Sequence, residues 1–464
     1  MTHRFDPGIL REYDIRGPVG AKLGPDDARA VGRSFATRVR EAGGTRVVVG
    51  CDGRLSSPML EAALVEGLTA SGIDVVRIGL GSSPMLYFAE AELGVAGGIH
   101  VTGSHNPAGD NGFKLVLNHR PFCGADIQHL AAIAAAGDWT RASGTVTDVD
   151  MLQCYVDRLM AGYDGGVFRI GWDAGNGAIG PLLEALTRVL PGEHHLLFTD
   201  VDGHFPNHHP DPATEANLDH LKALVAERGL DFGFAFDGDG DRIGAVDARG
   251  RVLWGDQLLS ILCEPVLAAH PGAAIVADVK SSAYLFDRVA ALGGRAVMAR
   301  TGHSSIKTRM REESAPLAGE LSGHIFFGGD FYGHDDAAYA AIKLIGALHA
   351  SGRSLTQWRD AMPMLVSTPD LRVPVDPARK LAVVEEVLAR LEATGARVDR
   401  TDGARVDTPD GWWLLRASNT QDMLTLRAEA KDDAALARLL SAVAAQLGQS
   451  GVVAPSILAV ATPT

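Results

Sequence analysis

Apolar positions along the chain fall into short runs that alternate with longer amphipathic stretches. "TRVVVGCDGR" precedes "SPMLEAALVEGLTASG", "DVVRIGL" follows, and "AGGIHVTGSHNP" comes next. Such strand–helix–strand order predicts a mixed, mainly parallel sheet. The pattern restarts at "FRIGWDAGNGAIGPLLEALTRVL", continues in "DFGFAFDGDGDRIGAVD", and begins again at "AAIVADVKSSAYLFDRVAALGG" and "RAVMARTGHSSIKTRMREE". Each time a strand runs into a small polar loop. Three similar α/β domains are expected, without a fixed-period repeat. From about Met364 the pattern changes: "TPDLRVPVD" is prolyl and polar, "RKLAVVEEVLARLEATG" is an amphipathic helix, "GWWLLRASNTQDMLTLRAEA" reads as two strands around a loop, and "DDAALARLLSAVAAQLG" is a second helix. That tail is a smaller α+β domain. Boundaries are expected near residues 148, 251 and 363, giving domains at 1–148, 149–251, 252–363 and 364–464.

Length agrees, since 464 residues make three or four domains at about 100–200 residues each. Hydrophobic residues are 46% of the chain, yet no run approaches the ~20 apolar residues of a membrane span, and "MTHRFDPGIL" lacks signal-peptide character. A soluble cytoplasmic protein is expected. The four cysteines, Cys51, Cys123, Cys154 and Cys263, include no close pair and read as small core residues. With 43 basic and 57 acidic residues the net charge is −14, which opposes nucleic acid and acidic membranes. An anionic small substrate would need cations gathered locally.

Two segments carry candidate chemistry. In "GGIHVTGSHNPAGDNGFKLV" a buried strand ending near Val101 delivers Ser104 to what should be an exposed corner, with Pro107 to Gly112 reading as turn. A hydrolase elbow needs glycine two residues either side of the serine, where Thr102 and Asn106 stand. In "FDGDGDRIG", Asp237, Asp239 and Asp241 alternate with glycines, so three carboxylates can converge on a hard divalent cation. An EF-hand starting at Asp237 fails, because Arg242 and Ala248 occupy its glycine and glutamate positions. "GELSGH" offers Glu320, Ser322 and His324 at alternate positions for hydroxyl recognition. "RASNT" combines Arg416 with Ser418, Asn419 and Thr420, a composition suited to a phosphate dianion. The histidines of "FPNHHPDP" (His204, His208, His209) resemble a zinc set, but the prolines favour an ordered structural loop.

Taken in order, "REYDIRG", "TGSHNP", "FPNHHPDP", "DGDGDR", "DVKSS", "TGHSSIK", "GELSGH" and "RASNT" span nearly the whole chain. The chain resembles the α-D-phosphohexomutases, most nearly the bacterial phosphomannomutase/phosphoglucomutase group. It departs from that pattern at Cys51 and at Gln421-Asp422. The resemblance implies four domains around a central cleft and a phosphoryl group carried on Ser104. One Mg2+ would bridge that phosphate to Asp237, Asp239 and Asp241. It implies transfer between the 6- and 1-positions of a hexose phosphate through a hexose 1,6-bisphosphate, with Arg242 assisting. Lys114, His303 and Arg16 are the implied candidates for proton handling or for polarising the reacting hydroxyl. Tyr13, His105, Lys280, Thr301 and Gly302 are implied substrate contacts, joining Glu320, Ser322, His324, Arg416, Ser418, Asn419 and Thr420. The expected partners are small hexose phosphates, with no nucleic acid or membrane, and the expected state is a monomer.

Rival readings are a metal-dependent sugar phosphatase, which would release inorganic phosphate, and a non-catalytic sugar-phosphate binder, which should lack Ser104 or one of the aspartates. Phosphoglucosamine mutase is the alternative within the family, where "GEQSGH" is usual. Leu321 at that position leans toward mannose and glucose.

Overall fold

The computed structural model describes residues 2–418 and 423–453. Its first sheet runs Ile15–Pro18, Asp110–Leu117, Gly97–Val101, Arg46–Cys51, Asp74–Leu80, Val146–Asp148, with Arg120–Pro121 beside Asp110–Leu117. The second runs Val252–Leu253, Ile243–Asp247, Phe232–Phe236, Phe168–Asp173, Gly192–Leu197, and the third Arg295–Ala299, Ala274–Asp278, Leu317–Gly319, Ile325–Phe327. These are the three restarts legible in the sequence.

All three sheets switch direction at the same point. Gly97–Val101 is parallel to Arg46–Cys51 but antiparallel to Asp110–Leu117. Phe232–Phe236 is parallel to Phe168–Asp173 and antiparallel to Ile243–Asp247, and Leu317–Gly319 is parallel to Ala274–Asp278 and antiparallel to Ile325–Phe327. The hairpin loops created by the switch hold "TGSHNPAG", "DGDGDR" and "ELSGH" respectively. Thus the three motifs, unrelated in chemistry, occupy equivalent positions in three domains, at the strand ends where open α/β sheets bind ligands. One boundary differs from expectation: pairing of Pro18 with Asp110 and of Gly17 with Asn111 carries the strand back to Asp110, so only 102–109 is loop.

The fourth sheet is antiparallel, built on Gly411–Ala417 paired with Met423–Ala430, and is covered by helices Lys380–Ala393 and Asp433–Gln449. Both helices match their amphipathic stretches. Apolar packing is continuous across the first three domains, from Val48 and Tyr87 through Trp172 and Phe234 to Phe327 and Leu348. The fourth domain has its own core of Val373, Val387, Trp413, Leu426 and Val443, and Val279 packs with Trp412 and Leu414 at its border with the third. Polar contacts reinforce that border: Arg405 Nη1 donates to the carbonyls of Val279 and Ser281. Cys51 and Cys263 are buried as expected, Cys123 is partly exposed, and Cys154 is exposed, on the outer side of helix Leu152–Met160 while its neighbour Tyr155 fills the core. Among the described residues no helix is long and apolar enough to cross a membrane.

Candidate active site

The strand Gly97–Val101 ends in a tightly held loop. Asp52 Oδ2 accepts from Thr102 Oγ1 (2.8 Å) and from the Gly103 amide (3.1 Å). Arg54, with no exposed side-chain surface, donates Nη2 to the carbonyls of Ser104 and Asn106 (both 2.7 Å) and Nη1 to those of Pro107 (2.6 Å) and Asp110 (2.8 Å). A Cβ on Gly103 would stand 2.4 Å from Arg54 Cζ; only glycine admits that approach. These bonds hold Ser104 in the left-handed region at φ +48°, a conformation that costs a non-glycine residue about 1 kcal/mol or more.

Ser104 is not on an exposed corner: it is 2% exposed. The second domain covers it, with a Cβ at Gly238 falling 2.5 Å from the Ser104 carbonyl oxygen. Ser104 Oγ donates to Asp237 Oδ2 (2.9 Å) and lies 3.1 Å from His105 Nδ1. Thus the serine and the acidic loop meet across a domain boundary.

Asp237, Asp239 and Asp241 are fully buried, with donor oxygens within 4.8 Å of one another. Asp237 Oδ1 accepts the amides of Asp241 and Arg242. Asp239 Oδ2 accepts from Ser83 Oγ (2.5 Å) and Lys114 Nζ (2.6 Å), and Lys114 also bonds Asp241 Oδ2. Lys114 reaches this point from Asp110–Leu117, the strand paired with the serine's own. Burial opposes its charge, but Asp239 and Asp241 outweigh that and hold its pKa well above the ordinary lysine value. Burial, reinforced by Asp241 and Asp239, pushes Asp237 well above the carboxylate range. For Asp239 burial acts the same way, yet Lys114 prevails and holds it well below. Oδ1 of both Asp239 and Asp241 is buried without a hydrogen-bond partner among the described residues. Two open carboxylate oxygens next to a third carboxylate fit a hard divalent cation.

The third domain closes the cleft. Glu320 Oε1 accepts the Gly302 amide at 2.6 Å, and burial raises the Glu320 pKa. Ser322 is half-buried and His324 buried, and Arg242 Nε donates to His324 Nε2 at 2.9 Å, joining second and third domains. His303 opens the helix His303–Glu312 after Gly302; burial, then Lys307, hold its pKa well below the usual imidazole value. Tyr13 OH donates to the Thr301 carbonyl (2.7 Å), and its ring meets His303 edge-on at 5.7 Å. Burial pushes the Tyr13 phenol up to about 12. Arg16 Nη1 donates to Gly103 O and Asn106 Oδ1 in the serine loop.

The fourth domain reaches in through Arg416, whose Nε donates to Asp402 Oδ2 at 2.7 Å while Nη2 is buried with no partner among the described residues. The same Asp402 oxygen accepts the Thr301 amide. Lys280 bonds Asp370 Oδ2 at 2.8 Å, and Ser418 is buried with its amide on the Met423 carbonyl. Asn419 and Thr420 lie outside the described residues. Contacts link many of the remaining sequence candidates: Ser104 to Asp237, Lys114 to Asp239 and Asp241, Arg242 to His324, Gly302 to Glu320 and Tyr13 to Thr301. The basic side chains among them are ion-paired, Arg16 with Asp14, Lys280 with Asp370 and Arg416 with Asp402.

Asp52, Arg54, Ser83, Asp335 and Asp402 also belong to this network and are not legible as such in the sequence. A polar "CDGR" at the end of an apolar strand was the one available signal for the first two; the others become functional neighbours only through tertiary contact. Of the "FPNHHPDP" histidines, His208 Nε2 lies 3.0 Å from Asp173 Oδ2 and so ties the loop to the end of strand Phe168–Asp173, while His204 Nδ1 lies 2.9 Å from Asp202 Oδ1 within its own loop region.

Comparison with known proteins agrees with this geometry. Phosphoglucomutase/phosphomannomutase alpha/beta/alpha domain I matches residues 8–141, domain II 154–250, domain III 254–365 and the C-terminal domain 371–446. A phosphomannomutase/phosphoglucomutase of Pseudomonas putida is 40% identical over 440 residues, 95% of each chain. A phosphoglucomutase of Neisseria gonorrhoeae is 41% identical over 93% of this chain and 95% of its own. A solved phosphoglucomutase/phosphomannomutase family protein from Burkholderia thailandensis superposes with a TM-score of 0.91 at 41% identity, covering 96% of this chain and 98% of its own. With all four domains present in order, the chain belongs to the phosphoglucomutase/phosphomannomutase family of isomerases.

Proposed function

We propose that the protein interconverts the 6-phosphate and 1-phosphate of mannose or glucose through a phosphorylated Ser104 and a hexose 1,6-bisphosphate. The observation that carries this reading is Ser104 Oγ bonded to Asp237 at the edge of a carboxylate group with two unpartnered oxygens. Phospho-Ser104 gives its phosphoryl group to the free hydroxyl of a sugar phosphate: the serine O–P bond breaks, a sugar O–P bond forms, and the proton lost by the hydroxyl is balanced by the one that Ser104 Oγ regains. The bisphosphate turns over and returns its other phosphate to Ser104. Asp237, Asp239 and Asp241, with Ser104, would hold one Mg2+, which when bound offsets charge on the transferring group. Arg242 assists in offsetting that charge, and Lys114, His303 and Arg16 are the candidates for handling the hydroxyl proton or polarising the reacting hydroxyl, Arg16 only by donating. Glu320, Ser322 and His324 take sugar hydroxyls. Arg416, with Ser418, Asn419, Thr420 and Lys280, takes the distal phosphate.

The domain roles follow, with the division near 148, 251 and 363: phosphoserine, metal, sugar and distal phosphate. We propose a cytoplasmic monomer whose partners are hexose phosphates, not nucleic acid or membrane. Coupled assays on the 1-phosphates of mannose, glucose and glucosamine, with phosphate release measured in parallel, test the reading. Isomerisation of mannose and glucose phosphates far exceeding phosphate release is expected. Phosphate release at a comparable rate would make the protein a phosphatase, and a preference for glucosamine would move it to the phosphoglucosamine group.

A further inference from the structure

Behind His324 lies Asp335, a fully buried carboxylate to which the family reading gives no role. Its Oδ1 is held by Lys307 Nζ at 2.8 Å, and that ammonium sits over the Tyr87 ring at 4.6 Å, so its position is fixed from behind. Its Oδ2 faces two imidazoles: His324 Nδ1 at 3.0 Å and His303 Nδ1 at 4.0 Å. Asp241 Oδ1 lies 3.5 Å from the same His324 nitrogen. The Asp335–His324 pair is within hydrogen-bond distance but not aligned as a bond, as is common before a substrate tightens a site.

The other side of the ring decides what this contact can be. Arginine only donates, and Arg242 Nε donates to His324 Nε2, so Nε2 must present its lone pair. A doubly protonated ring would set one N–H against another. A neutral ring therefore carries its hydrogen on Nδ1, the atom facing Asp335 Oδ2 and Asp241 Oδ1. Asp241, His324 and Asp335 have the spacing of a metal site, but with the proton on Nδ1 and the Nε2 lone pair directed at Arg242, that nitrogen has nothing to offer a cation.

We propose that Asp335 is a positioning residue: from the third domain, opposite Arg242 of the second, it locks His324 in the Nδ1–H tautomer and leaves Nε2 as an acceptor in the cleft. When Arg242 turns toward a transferring phosphate, Nε2 becomes available to a sugar hydroxyl in a fixed orientation. This consequence rests on the mutase reading; the tautomer does not.

The test uses the full chain with 15N-labelled histidine, Mg2+ present, and long-range proton–nitrogen correlation spectra in which His324 is assigned by its loss in His324→Gln. The parent should show His324 as the Nδ1–H tautomer. In Asp335→Asn the amide can turn either its oxygen or its NH2 to the ring, so Nδ1–H loses its charged acceptor and the Nε2–H form should gain population whenever Arg242 leaves Nε2. There kcat should fall about 10-fold or more, as for a group that handles or positions a proton, with KM within about twofold, and Asp335→Glu should recover part of it. An Nε2–H tautomer in the parent overturns the proposal even if no variant folds, as does an unchanged tautomer with unchanged kcat in Asp335→Asn. Because the tautomer is read without turnover, its failure is distinct from failure of the mutase reading, which would show as absent isomerisation.

Discussion

Replacing Arg54 by lysine keeps the charge and removes the fork. Arg54 satisfies four carbonyls, those of Ser104, Asn106, Pro107 and Asp110, from two nitrogens at 2.6–2.8 Å. A lysine places one nitrogen where arginine places two, so two carbonyls of the loop should lose their donor. At about 1–3 kcal/mol for each buried group left unpaired, the loss is about 2–6 kcal/mol. It falls on the 102–110 segment, because Asp52 still anchors the loop's first residues. Hydrogen exchange reads it directly: the Asn106 and Asp110 amides, bonded to the carbonyls of Gly103 and Pro107, should lose about 30-fold or more in protection, at about 1.4 kcal/mol per decade. Misplacing the nucleophile by about 1 Å can cost about 100-fold, so kcat/KM should fall by at least that much while the other domains keep their exchange pattern. Parent-like exchange in 102–110 with kcat/KM within about threefold would refute the claim that Arg54 holds Ser104 in place.

Asp239→Asn should lower turnover by orders of magnitude at saturating Mg2+; folding should weaken only slightly, because Lys114 keeps Asp241, and turnover near the parent value would sink the cation assignment. Arg416→Ala should cut kcat/KM by about 100-fold or more in both directions and raise the demand for added glucose 1,6-bisphosphate, with Arg416→Lys recovering only part because the bidentate fork is gone; loss in one direction only would contradict a shared distal phosphate site. His208 gains stability from Asp173, which overcomes the opposing effect of burial and raises its pKa. That contribution is complete below the unfolded value of about 6.5 and is lost as pH rises through the raised folded value. The melting-temperature gap between parent and His208→Gln should therefore narrow across that window; a constant gap would show that the pair contributes nothing that titrates.

The sequence displayed the parts of the site better than their enclosure. Apolar runs such as "RVVVG" and "FGFAF" are buried on both faces and read directly as strands, and the polar letters after each marked a loop. That "TGSHNPAG", "DGDGDR" and "ELSGH" are equivalent hairpins was not visible, because it depends on the sheet reversing direction beside each of them. The burial of Ser104 is hidden in the sequence for a related reason: a loop of Gly, Ser, Asn and Pro looks exposed until Gly238 of the next domain packs on it. Lys114 was placed by resemblance, while its pairing with Asp239 and Asp241 arises from the register that sets it beside His100. Asp335 and Asp402 gave no local signal, since each acts on residues from other elements, His324 and Lys307 in one case, Thr301 and Arg416 in the other.

The most direct test of the account is the fate of Ser104 itself. The dephosphorylated chain should be incubated with Mg2+ and glucose 1,6-bisphosphate, then analysed by intact mass and peptide mapping. The account predicts one added phosphoryl group per chain, mapped to Ser104, absent in Ser104→Ala, with isomerase activity rising in step with it. Isomerisation of hexose phosphates by a chain whose Ser104 stays unmodified throughout would contradict it.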